Sequence, residues 1–351
     1  MKGLRPFISS PKLCAGGDLV AARIPFLFVF LICAGRHNDL RRGPAACGED
    51  GAFPMTIVLF LQQLITGLTV GSLYALIAVG YTMVYGILRL INFAHGDIFM
   101  MSMYFLFFGV SVFFIPWWAS ILLVLLATAI LGMLIEGAAY RPLRSAPRIS
   151  LLISSIGVSY LLENLATVLF TGIPRQFPDF PFLQEVIIIG DVRFSRLSIF
   201  VPLIMAALMF GLQFLIHRTK VGMGMRAVSK DFETARLMGI RINQVIAFTF
   251  GIGSLLAAVG AIMWGIKYPR IEPYAGVMPG LKCFIAAVIG GIGNVTGAVI
   301  GGLILGVMEI LIVFFAPSLS GYKDAFAFVA LIIILLVRPT GLMGEAVTDK
   351  V

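Results

Sequence analysis

From Met55 onward the chain alternates long apolar runs with short polar stretches. Spans fall near 57–79, 98–118, 119–138, 150–171, 197–217, 245–266 and 325–337, and the apolar stretch 281–315 has room for two passes. A helix needs roughly 20 apolar residues to cross the hydrocarbon core. Backbone polar groups in lipid must be satisfied internally, so these spans are helices; a barrel would show short alternating segments instead. The pattern predicts an all-α fold, a polytopic membrane helix bundle of about 8–9 transmembrane helices. Residues 1–54 do not follow it. Their one apolar run, Ile24–Ala34, is too short to span and, with basic residues ahead of it, looks like a signal-peptide h-region. Translation beginning at Met55 is the other reading, which makes 1–54 an untranslated or disordered N-terminal extension. The domain division is then 1–54 and a transmembrane domain, 55–351.

Composition agrees with lipid as the solvent. The chain has 351 residues, 60% hydrophobic and 12% charged, with a mean hydropathy of +1.01. Soluble domains carry about 25% charged residues. The net charge of +9 invites a nucleic-acid reading, but the basic residues lie mainly in short loops, as the positive-inside rule requires. The 139–149 loop holds Arg141, Arg144 and Arg148 without an acid, and 218–244 holds Arg218, Lys220, Arg226, Lys230, Arg236 and Arg241 against Asp231 and Glu233. These loops and Arg338 belong in the cytoplasm. The balanced 172–196 loop, with 267–280 and 316–324, belongs outside. Parity then demands two passes in 281–315, turning at Gly290-Gly291-Ile292-Gly293-Asn294. Four scattered cysteines (Cys14, Cys33, Cys47, Cys283) and three scattered histidines (His37, His95, His217) indicate neither a disulfide framework nor a metal site.

The loop from Gly222 to Ile240 carries the most mechanism. Ser229 suits an N-cap, Asp231 and Glu233 suit the first turn of a helix, and Gly239 suits the left-handed position that ends one. Between them Phe232, Ala235 and Met238 form a short apolar stripe. Such a helix can lie on lipid or dock in a groove of a cytoplasmic partner, and composition favours neither.

The Ala235-Arg-Leu-Met-Gly239 core resembles the "EAA" loop of ABC-importer permeases, with Thr234 in place of Glu. The wider match is to the branched-chain amino-acid permeases of the high-affinity importer. It rests on Gly71-Ser-Leu-Tyr-Ala-Leu-Ile-Ala-Val-Gly-Tyr-Thr-Met-Val-Tyr-Gly86, Ile91-Asn-Phe-Ala-His-Gly-Asp97, Tyr140-Arg-Pro-Leu-Arg144 and the glycine-rich Ala286–Gly306 segment. The resemblance runs from about Met55 to Val351. It implies a multi-pass protein of the bacterial inner membrane whose loop is a coupling helix seated in an ATPase subunit. Implied partners are a second homologous permease subunit, two cytoplasmic ABC ATPase subunits that bind ATP and Mg, and a periplasmic amino-acid-binding protein delivering leucine, isoleucine or valine. Related permeases carry urea, short amides or other amino acids, and a stand-alone channel or carrier is the reading from another class.

Other features refine this picture. Gly67 and Gly71, Gly293, Gly297 and Gly301, and Gly302 and Gly306 recur at spacings of four, which lets helix backbones approach in lipid. The chain has no G-x-x-x-x-G-K-[ST], and its Gly291–Gly297 string lacks the dinucleotide spacing, so no cofactor is expected on this chain. No H-E-x-x-H or G-x-S-x-G occurs, and the chain is not read as an enzyme. Asn92, His95 and Asp97 interrupt the apolar pattern between the first two spans. They either line a substrate route, with Glu163 as a further candidate there, or form a turn with Asp97 capping the next helix. Glu136, Glu163, Asn164 and Glu309 lie in or near spans, and a buried Glu is expected to be tied to a basic group or backbone donor more often than to relay protons.

Overall fold

The computed structural model describes residues 52–144 and 146–344. The question of a leader or extension at 1–54 lies almost wholly outside the described residues, as do Cys14, Cys33, Cys47 and His37. The described chain is nearly all helix, and eight of its helices are long and apolar enough to cross a membrane.

The first helix, α1 (Ala52–Leu88), runs nine residues past the end of its predicted span. Hydropathy falls at Gly80, but Tyr81, Met83, Val84 and Ile87 are buried against other helices, so protein rather than lipid carries the helix on. After a non-helical link come α2 (His95–Phe107), a π-helical turn at Phe108–Val112, and α3 (Trp117–Ile135). The predicted span 98–118 is therefore cut at Phe113–Pro116, where Phe114 takes φ +52° and Pro116 starts the next helix. A second π turn, Glu136–Tyr140, and a 3-10 turn, Arg141–Leu143, lead to α4 (Arg148–Phe170).

The next segment holds structure that hydropathy did not predict. Strand β1 (Arg175–Gln176) precedes a one-turn helix, α5 (Pro181–Gln184), and an antiparallel hairpin of β2 (Val186–Ile189) and β3 (Val192–Ser195). Helix α6 (Leu197–Arg218) follows, then α7 (Lys220–Lys230), α8 (Phe232–Leu237) and α9 (Ile242–Lys267). Strand β4 (Arg270–Ile271) pairs with β1. Then come α10 (Val277–Gly290), α11 (Val295–Phe315), a 3-10 turn at Pro317–Tyr322, and α12 (Lys323–Val337). Two helices, α10 and α11, occupy the stretch expected to hold two passes, of which α11 alone is long enough to cross a membrane, and their turn has Gly291 at φ +109° and Gly293 at φ +98°. At 14 residues, α10 is short for a span at 1.5 Å rise per residue. Ten of its residues, from Pro279 onward, are buried.

Helix α1 is the centre of the bundle, with α6, α9, α10 and α11 packed on it, while α3, α4, α12 and the outer side of α6 show wide apolar faces. Small residues set the closest approach. A Cβ on Gly71 would lie 2.8 Å from the Leu303 Cα, one on Gly67 3.0 Å from the Val307 Cα, and one on Gly302 2.6 Å from the Ala75 backbone. Gly306 meets the Gly71 backbone. Gly297 and Gly301 turn instead toward α10, against Gly290 and Ala286. Gly293 departs from the packing expectation: it sits in the turn at φ +98°, where an added Cβ would meet nothing within 4 Å, so its role is the left-handed backbone that only glycine adopts freely.

Candidate functional site: a two-helix element over a basic cleft

Thr219 opens α7, its Oγ1 accepting the Gly222 N–H at 3.1 Å. Gly222, Gly224, Met225 and Val228 then face inward. The rod expected from Ser229 to Gly239 is broken at Asp231, which ends α7 and caps α8: Oδ1 accepts the Glu233 N–H at 3.0 Å and Oδ2 the Thr234 N–H at 3.4 Å. Ser229 is therefore not the N-cap. It lies in the last turn of α7 and donates its hydroxyl to the Arg226 carbonyl at 2.9 Å. Glu233 keeps its first-turn place. Gly239, at φ +79°, closes the element, with its N–H on the Arg236 carbonyl and the Ile240 N–H on the Ala235 carbonyl, the double bond of a Schellman end.

The apolar stripe also divides. Ala235 is 3% exposed, whereas Met238 is 78% and Leu237 87% exposed, with Phe232 partly so. In a six-residue helix the single inward position falls to Ala235, and the outward patch is Phe232, Leu237 and Met238. Leu237 was missed because the stripe was counted in steps of three from Phe232.

Behind α8 lies a cleft of about 1410 Å³, floored by the ends of α1, α3 and α9. Arg144 ties its walls together. It pairs with the buried Glu136 carboxylate and donates to the Asn243 Oδ1 at 2.7 Å.

The residues that interrupt the apolar pattern near 92–97 lie deep in the bundle, and none of them lines this cleft. Tyr140 donates its hydroxyl to the Asn92 Oδ1 at 2.7 Å. Ser159 donates to Asp97, and Glu163 is buried one turn further along α4. His95 packs edge-on against Tyr81, ring centroids 4.5 Å apart, and Gly80 leaves it room: a Cβ there would come within 2.6 Å of the His95 Nε2. Asp97 does not cap α2. The cap position is Ala94, without a side-chain bond, and Asp97 lies in the first turn. The arrangement anchors the non-helical link at membrane depth, where Ser155 donates to the Ile91 carbonyl at 3.3 Å. Asn164 lies apart on the exposed face of α4, bonded to the Tyr160 carbonyl.

At the opposite end a second polar group was not foreseen beyond Glu309. The Lys282 Nζ lies 2.9 Å from the Glu309 Oε1 and 2.6 Å from the Asp324 Oδ1, and Tyr74 donates to the Glu309 Oε2 at 2.8 Å. Lone charges of opposite sign in two adjacent apolar runs, Lys282 and Glu309, were the available signal.

The family described as "Branched-chain amino acid transport system / permease component" matches residues 63–335. The chain is 42% identical to the high-affinity branched-chain amino acid transport system permease protein BraD of Pseudomonas aeruginosa, over 83% of this chain and 98% of that one. It is 38% identical to the permease protein LivH of the corresponding Escherichia coli system, again over 83% and 98%. A probable branched-chain amino acid transport permease of Methanocaldococcus jannaschii is 27% identical over 78% of this chain and 89% of its own. With a match over most of its length, eight spans and the two-helix element between α6 and α9, the chain belongs to the branched-chain amino acid transport system permease family.

Proposed function

We propose that this chain is the membrane-spanning subunit of an ABC importer that carries leucine, isoleucine and valine across the bacterial inner membrane. The observation that carries the reading is near-full-length similarity to relatives named for high-affinity branched-chain amino acid transport. ATP and Mg are bound by two ATPase subunits on the cytoplasmic side, a second permease of the same kind completes the pore, and a periplasmic binding protein delivers the amino acid. The basic face is cytoplasmic, in line with its loop charges, and the outward patch of Phe232, Leu237 and Met238 is the surface through which ATPase movement reaches the spans. An exposed apolar patch on a short helix at a basic, water-facing border fits a groove on a partner. Radiolabelled leucine uptake in a strain lacking this gene tests the cargo. Restored uptake, competed by isoleucine and valine and abolished when the partner ATPase cannot hydrolyse ATP, is expected. Restored uptake that ignores ATPase activity would refute the importer reading.

A further inference from the structure

The cleft behind α8 has a chemistry that docking on an ATPase does not use. Six basic side chains line it (Arg89, Arg141, Arg144, Lys230, Arg236 and Arg241) against two carboxylates, Glu136 and Asp231. Glu136 is taken up by Arg144, so the balance at the mouth is strongly positive. The floor is different. Ile87, Met133, Leu151 and Ala247 line it from α1, α3, α4 and α9, close to the ends of those spans. Polar mouth and apolar floor meet at the membrane border, the profile of a phospholipid: headgroup among guanidinium groups, acyl chains along the helices.

Topology alone explains basic residues on this side. It does not explain their convergence on one cleft, nor the backbone at Arg89. Arg89 ends α1 at φ +53°, with its N–H on the Tyr85 carbonyl at 2.7 Å. That left-handed position is ordinarily given to glycine, because a Cβ is strained there. An arginine held in it, with its side chain on the cleft, points to use of the guanidinium. An ATPase would meet the outward patch of Phe232, Leu237 and Met238, of which Phe232 alone also lines the cleft, whereas the floor residues Met133 and Leu151 belong to α3 and α4, two helices with wide apolar outer faces.

We propose that this cleft binds the headgroup of an anionic phospholipid, with Arg89, Arg141 and Arg241 directed at its phosphate. The test uses the full chain purified with its partner subunits and reads lipid retention by native mass spectrometry. Phosphatidylglycerol is the probe, phosphatidylcholine the zwitterionic control and inorganic phosphate the free-anion control. The expected result is selective retention of phosphatidylglycerol, weakened about fivefold by Arg89→Gly and about 25-fold by Arg141→Gln with Arg241→Gln. Arg89→Gly relieves the backbone as it removes the charge, so weakened binding there cannot be put down to misfolding. Equal retention of both lipids, or variants that bind like the parent, would overturn the proposal. So would binding of inorganic phosphate that displaces the lipid, which assigns the cleft to a free anion. Phosphatidylglycerol on the isolated chain but absent from the full assembly would give the cleft to the ATPase and overturn it too. The readout is binding rather than transport, so its failure leaves the importer reading standing.

Discussion

The end of the bundle that holds Lys282 and the end that holds Leu237 dispose of their polar and apolar groups in opposite ways. At the first, the buried Lys282 and Glu309 meet within 3 Å with the partly exposed Asp324 on the same ammonium, the Tyr74 hydroxyl satisfies the second Glu309 oxygen, and glycines bring α1 and α11 to backbone contact nearby. At the second, basic groups crowd an open cleft while Leu237 and Met238 stand in solvent. A closed ionic network on a tightly packed seam has one arrangement, and changing it is costly. An exposed apolar turn on a short, capped helix is stabilised by what binds it. The comparison separates a closed, tightly packed region from an open one whose apolar turn is left exposed.

Five substitutions put numbers on that contrast, read as thermal unfolding of the purified chain in detergent. Lys282→Ala leaves Glu309 with only the Lys323 Nζ at 3.5 Å and takes the cation from the partly exposed Asp324, and is expected to lower stability by about 3 kcal/mol; an unchanged midpoint would mean that the network holds nothing. Gly71→Val pushes a branched side chain into the Leu303 backbone, 2.8 Å from where its Cβ would lie, and should lower stability by about 1–3 kcal/mol. Asp231→Ala removes the cap of α8 and should lower stability by about 1 kcal/mol. Ser229→Ala should stay within about 0.5 kcal/mol, since its hydroxyl serves only the Arg226 carbonyl. If the last two exchange places, the element is one rod after all. At the small end, Leu237→Asp should also shift stability by no more than about 0.5 kcal/mol yet abolish leucine uptake, whereas Lys282→Ala should lose uptake only as far as it loses folded protein.

The same contrast explains what could be read from the sequence. Span number and the turn at 290–294 were legible because lipid imposes length and apolarity on every span, and because the run Gly290-Gly291-Ile292-Gly293-Asn294 breaks a helix. The end of α1 was not legible, since Tyr81 to Leu88 are kept helical by neighbours that hydropathy cannot see. The cap of α8 was ambiguous because Ser229 and Asp231 are both good caps, and only tertiary contacts break α7 between them. Leu237 escaped because a helix of six residues is too short for a periodic stripe to settle which positions face out. The Lys282 network escaped because its members lie on four helices, and pairing across helices leaves no local spacing. Asn92, His95 and Asp97 stood out as interruptions, but their partners Tyr140, Tyr81 and Ser159 lie elsewhere in the chain.

Whether the outward turn of α8 seats on an ATPase is tested by the reactivity of a cysteine placed at Leu237, located by peptide mass mapping. In the isolated chain Leu237→Cys should react freely with a maleimide, as befits a position 87% exposed. On assembly with the ATPase its rate should fall at least about tenfold, the signature of a residue moved into an interface core, while a cysteine at Phe210 on the lipid-facing side of α6 keeps its rate. Undiminished reactivity of the Leu237 cysteine in an ATP-hydrolysing assembly would contradict the account.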